Sequence, residues 1–186
     1  MGKATGLTLI YAGVGSRQTP PDVLVKMRSI ARILAIHGFT LRSGKADGAD
    51  TAFELGCDDV NGKKEIWVPW KGFNHAKGEQ FLPLDEHYEI ASQVHPAWPH
   101  LTKGPRSLHA RNVGQVLGQD LHTPVLFVLC WTQDGARTVQ EVTRKTGGTG
   151  MAIKIAAMNG VPVINMYHPD YMQDLKRLIK VALEGV

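Results

Sequence analysis

Three glycine-bearing stretches hold the residues best suited to chemistry: "AGVGSRQTPPD" (12–22), "SGKADGADTAFE" (43–54) and "TGGTGMAIKIAAMNGVPVINM" (146–166). In the first, Gly13 and Gly15 allow close backbone approach to a ligand, Ser16 offers a hydroxyl, and Arg17 offers a planar fork suited to phosphate. The third glycine of a dinucleotide fingerprint is absent and Pro20 and Pro21 intervene, so a tight packing turn is an equal reading. In the second, Gly44 and Gly48 bracket Lys45 and Asp47 ahead of a helix beginning near Ala49, whose free amides and dipole favour an anion. Asp47 or Asp50 can cap that helix, leaving the other open to a ribose or base, and Glu54 shares a helix face with Asp50. In the third, Gly147, Gly148 and Gly150 surround Thr149 at another helix start. It follows a long connection, 132–148, carrying Arg137, Arg144 and Lys145, and Trp131 at the preceding strand end is suited to stack on a base.

The elements that must position these loops follow from hydrophobic periodicity. Apolar, partly β-branched runs at 7–13, 39–44, 64–69, 124–131 and 161–166 predict strands. Residues 21–37 predict a helix, with Pro and Asp at its start, Val23, Leu24, Met27, Ile30, Ala31 and Leu34 on one stripe, and Gly38 at its end. Further helices are predicted at 49–57, 84–94, 105–119, 149–159 and 169–184. Strand alternating with helix implies a mainly parallel sheet of about five or more strands with helices on both faces: a single α/β, Rossmann-like, doubly wound domain. Ligands in such sheets collect outside the carboxyl ends of the strands, where the three loops fall.

Composition narrows the classes. The chain has 186 residues, 43% hydrophobic and 20% charged, with a net charge of +4, so it is long enough for one buried core and only mildly basic. Nucleic-acid binding is permitted by that charge rather than indicated. Cys57 and Cys130 suggest neither a disulfide framework nor a metal knuckle, and no run approaches the ~20 apolar residues of a membrane helix. A cytoplasmic protein without membrane attachment is expected; "MGKATG" only partly meets a myristoylation pattern and reads as a disordered start. His87, His95, His100, His109 and His122 show no metal-ligand spacing, so neither metal nor cofactor is expected. Segment 65–83 reads as core at Trp67 and leaves Trp70 and Phe73 open as lid or packing residues. Segment 95–112 reads as a cap with Arg106 and Arg111 facing phosphate, or as a surface connection.

The stretches "YAGVGSRQTP", "LRSGKADGADTAFE", "SLHARNVGQVLG" and "TGGTGMAIKIAAMNGVPVINM", in that order over residues 8–166, resemble the SLOG superfamily. It groups the DNA-processing protein DprA (Smf), the Lonely Guy (LOG) phosphoribohydrolases and small nucleotide-binding domains, and the similarity is greatest to its single-domain YspA/YpsA-like branch, common in bacteriophages. The resemblance implies one nucleotide-binding domain over residues 1–186, often assembled as dimers or tetramers. Gly15, Ser16 and Arg17 match the first glycine motif, Ser43, Gly44 and Gly48 the second, and Arg111 and Asn112 the pair on the central helix. In the LOG branch an arginine there and a glutamate after the last glycine motif act on an N-glycosidic bond, but here Ile153 and Lys154 occupy the carboxylate positions. An oxocarbenium-like sugar is stabilised by a carboxylate and not by an ammonium, which argues against that mechanism. Hydrolysis would need Asp47, Asp50, Glu54 or Glu141 to supply the charge, with Arg111. The function expected is binding of a nucleotide or nucleotide-derived signal at the loops. The alternatives are N-glycosidic hydrolysis and DprA-like single-strand binding.

Overall fold

The computed structural model describes residues 8–185. The Met1–Gly6 pattern and Leu7, first residue of the first predicted strand, lie outside them. Five strands form one sheet: β1 (Ile10–Gly13), β2 (Thr40–Ser43), β3 (Lys64–Ile66), β4 (Val128–Cys130) and β5 (Val163–Asn165). All pairings are parallel, in the order β3-β2-β1-β4-β5. The helices are α1 (Pro21–Ile36), α2 (Ala49–Asp58), α3 (Asp85–Val94), α4 (Lys103–Leu117), α5 (Thr149–Met158) and α6 (Tyr171–Glu184). The α/β, Rossmann-like architecture anticipated from the alternation is therefore present.

Both sheet faces are covered, which explains why the central strands read as continuous apolar runs rather than as alternating ones. Successive β1 residues point to opposite sides. Tyr11 enters a core with Phe39, Leu41, Phe127 and Leu129, closed by Met27 and Leu34 of α1, Phe53 of α2 and Leu175 of α6. Ile10 and Ala12 enter the other, with Val128 and Cys130, closed by Ala91 of α3, Val113 and Val116 of α4 and Ile155 of α5. No helix among the described residues is long and apolar enough to cross a membrane.

Trp67 is fully buried, stacks on Phe81 at 5.4 Å and lies against Gly114, where no side chain would fit. Phe73 is also buried, and the exposed Trp70 meets its ring edge-on at 5.2 Å. The segment thus packs on the outer strand β3 and α4, and it meets the second glycine loop through Asn74, whose Nδ2 donates to the Lys45 carbonyl (3.0 Å).

The chain leaves β1 towards β2 and later places β4 on the other side of β1, so the strand order reverses between β1 and β4. Their carboxyl ends flank a crevice of the kind that binds ligands in open α/β sheets. Close approach underneath it is set by glycines without side-chain room. A Cβ at Gly13 would sit 2.6 Å from Phe53 and 2.8 Å from Leu41, and one at Gly56 of α2 would sit 2.1 Å from the Arg28 carbonyl oxygen of α1. Gly56→Ala must push two helices apart, so we expect a loss of about 1–3 kcal/mol in urea unfolding. A stability within 0.5 kcal/mol of the parent, roughly the range of neutral surface changes, would contradict this packing.

Candidate functional site

A cleft of about 510 Å³ opens at the crevice. Its walls come from Val14–Gln18 after β1, Ala46 and Asp50 at the start of α2, and Pro105, Leu108, His109, Arg111 and Asn112 of α4. Gln133 after β4, residues Arg144–Thr149 and Ala152 of α5 complete it. The first and third glycine loops and the central helix therefore meet in one place, joined by part of the second loop.

The loop after β1 is held as a turn. The Ser16 amide donates to the Trp131 carbonyl (3.2 Å), the Ser16 hydroxyl accepts from the Gln18 amide (3.0 Å), and the Thr19 hydroxyl donates to the Ser16 carbonyl (2.6 Å). Arg17 and Gln18 are left exposed at the rim. Gly48, at φ +84°, has the Arg17 backbone 3.0 Å from where a Cβ would be, so glycine there lets the first two loops nest.

Arg111 and Asn112 tie the other loops to α4. Buried Arg111 donates from Nη1 to the Gly44 carbonyl (2.7 Å) and from Nη2 to Asn112 Oδ1 (3.3 Å), while Asn112 Nδ2 donates to the Gly148 carbonyl (3.0 Å). A Cβ on Gly44 would lie 2.5 Å from Arg111 Nη1, so that glycine makes room for the guanidinium. Ser43 is likewise internal, its hydroxyl donating to the Gly13 carbonyl (2.7 Å). Burial pulls the Arg111 pKa down, against the pull of Asp50, and Arg17 pulls it down further.

The three acidic candidates on or beside α2 are separated by the fold. Asp50 is 3% exposed in the cleft wall, its Oδ2 accepting from the Ala46 amide (3.3 Å). Burial raises its pKa to about 6, and Arg111 with the amides of Ala46 and Gly44 limits the rise. Asp47 is exposed. Glu54 is bridged by Lys45 (2.8 Å) and by Lys64 of β3 (2.9 Å). Burial opposes its ionisation, but these lysines hold its pKa below the usual range. Asp47, Glu54 and Lys45 do not line the cleft, and Glu141 instead accepts the Arg137 and Thr138 amides.

Trp131, suited by position to stack on a base, has its side chain in the apolar core beneath α1 and α2, and only its backbone meets the first loop. Arg106 is turned from the cleft, donating to the carbonyls of Trp98 and Pro99 (both 3.2 Å). At the third loop, Gly147 (φ +63°), Gly148 and Thr149 line the cleft; the Gly147 and Gly150 amides donate to the carbonyls of Arg144 (3.3 Å) and Gly147 (3.1 Å), and the other first-turn amides of α5 lack partners within the helix. Gly150 faces an adjoining cavity.

One organising residue escaped the sequence reading. Asp134 accepts the hydroxyls of Thr143 (2.6 Å) and Thr146 (2.5 Å), closing the long connection that carries Arg144 and Lys145 to the rim. Burial opposes its charge, but the hydroxyls of Thr143, Thr146 and Thr132 and the Ala136 amide bring its pKa down to about 2. The only signal in the sequence is the Asp134-Gly135 turn, since the threonines lie nine and twelve residues away.

No family model and no curated protein matches the sequence. Among solved structures the chain is similar to DNA processing protein A from Helicobacter pylori, described for its single-stranded DNA binding mode. Identity is 15% and the TM-score 0.42, over 94% of this chain and 81% of that one. A likeness of that order carries no weight for function, which has to be read from the groups in the cleft.

The Asp134 carboxylate titrates lower in the fold than the ~3.9 of an unfolded chain, so its contribution is complete above about pH 4 and lost as pH falls towards 2. Asp134→Ala should cost about 1–2 kcal/mol at pH 7. The gap to the parent should shrink in urea melts from pH 5 to 3, and a constant gap would show that the carboxylate charge is not what closes the loop.

Proposed function

We propose that the chain, as one SLOG-type domain, binds a nucleotide or nucleotide-derived small molecule in this cleft, with phosphate on the third-loop amides and Arg17. The observation that carries this reading is convergence. Exposed Arg17, Arg144 and Lys145, none of which enters an ion pair among the described residues, border the same cleft as the first turn of α5. Cations without carboxylate partners beside unpaired amides favour an anion, and a guanidinium suits phosphate oxygens. The cleft volume falls within the roughly 300–1,000 Å³ of small-molecule sites. In this reading Arg111 and Asn112 shape the loops through their bonds to Gly44, Asn112 and Gly148, while Arg111 Nε is buried without a protein partner.

A second reading has one specific observation behind it. Asp50 is a buried carboxylate in the cleft wall whose ionisation is influenced by Arg111, and perturbed acids in clefts mark catalytic sites. It could stabilise a cationic sugar during N-glycosidic cleavage, the role that Ile153 and Lys154 cannot fill.

Calorimetry with nucleoside monophosphates, cyclic nucleotides and a short single strand, with assay of the solution for freed base, separates these readings. Saturable binding of a small nucleotide without turnover is the expected result. Base release abolished by Asp50→Asn would establish the hydrolase instead, and steeply salt-dependent binding of the strand alone would establish a single-strand binder. Arg17→Ala should weaken nucleotide binding about tenfold, one charge-assisted contact's worth. Arg111→Ala should lower stability and affinity together.

Charge on Asp50 opposes an anion, and that carboxyl becomes neutral as pH falls through about 6. Affinity for a cyclic nucleotide, whose phosphodiester does not titrate in this range, should therefore rise from pH 8 to pH 5. Asp50→Asn should flatten the profile. An affinity that falls over the same range would place the phosphate away from Asp50.

A further inference from the structure

Beyond His109, Arg144 and Gly147, which both cavities share, a second cavity of about 490 Å³ runs over α5. Its chemistry comes from His95 at the end of α3, Thr143, Arg144 and Lys154 of α5. The two imidazoles lie against each other, ring centroids 4.4 Å apart. His95 Nδ1 accepts from the Ala97 amide (3.2 Å), whereas His109 Nδ1 is buried without a protein partner. Burial, His95, Arg111 and Lys154 lower the His109 pKa to about 4, and burial and Lys154 lower that of His95.

At neutral pH the positive charge here thus belongs to Arg144 and Lys154. Neither has an acidic partner among the described residues, and the lining contains no carboxylate, whereas the first cavity includes Asp50. Small-molecule sites span roughly 300–1,000 Å³, so a mononucleotide is accommodated by the first cavity alone. That leaves an adjoining space of nearly equal size, lined by two cations and no carboxylate.

We propose that this second cavity is a subsite for a further anionic group of the same ligand, so that the cleft takes a small nucleotide with a phosphate in each compartment. The inference rests on the nucleotide reading above. Lys154 and Arg144 are the cations of the subsite, and neutral His109, at the boundary, hydrogen-bonds the part of the ligand that crosses it.

Calorimetry of the full chain with AMP, the 5′-phosphorylated dinucleotide pApA, their guanine counterparts and a ten-nucleotide single strand tests this. A dinucleotide should bind at least about tenfold more tightly than its mononucleotide. Lys154→Ala should remove most of that advantage while leaving the mononucleotide's affinity in place, and Arg17→Ala should weaken both. Equal affinities for the two, or a Lys154→Ala effect of the same size on each, would overturn the subsite while leaving nucleotide binding intact. A strand that outcompetes the dinucleotide and ignores Lys154→Ala would overturn it in favour of an extended surface. Absence of binding by both AMP and GMP and by both dinucleotides would instead remove the nucleotide reading itself.

Discussion

Arg111 and Asn112, adjacent on α4, hold the cleft in shape. Through Gly44 the arginine fixes the loop after β2, and through Gly148 the asparagine fixes the loop before α5. A guanidinium with so little exposure is expensive unless hydrogen-bonded, so the Gly44 carbonyl and the Asn112 amide are part of what lets the charge stay inside. Asp50 offsets that charge from the cleft wall, and Arg111 in turn limits the rise in pKa that burial imposes on the carboxyl. Loops that would otherwise be independent excursions from a sheet are in this way referred to a single helix.

The charge pattern along α5 follows from the same frame. After the third glycine motif, Ile153 turns into the core between sheet and helix and Lys154 turns towards the second cavity. An apolar residue contributes to packing and a lysine contributes an attractive field for anions, and neither can steady a developing sugar cation. The acid that does reach the cleft comes from α2, approaching from the other side of the strand reversal.

Local pattern made the architecture legible. Each predicted strand and helix is present, because parallel strands covered on both faces announce themselves as apolar runs and α1 carries a helical stripe between a proline and a glycine. The position of the loops followed for a related reason, since connections leaving parallel strands fall at the carboxyl edge of the sheet. Side-chain destinations decided across the fold were not. Glu54 looks free on its helix until Lys64 of β3 reaches it, Trp131 looks like a platform until strand period sends it under α1, and Asp134 has no visible purpose until two distant threonines close on it.

Gly148 adopts ordinary right-handed helical angles, φ −61° and ψ −25°, and a methyl group placed on it would touch no atom of the protein. Neither backbone geometry nor neighbouring bulk requires that this position lack a side chain, in contrast to Gly13 and Gly56, where the interior forbids one. Bulk at this position therefore costs the protein's own packing nothing. Under the proposed binding, tolerance of larger residues there would measure the guest's outline, independent of the folding of its host.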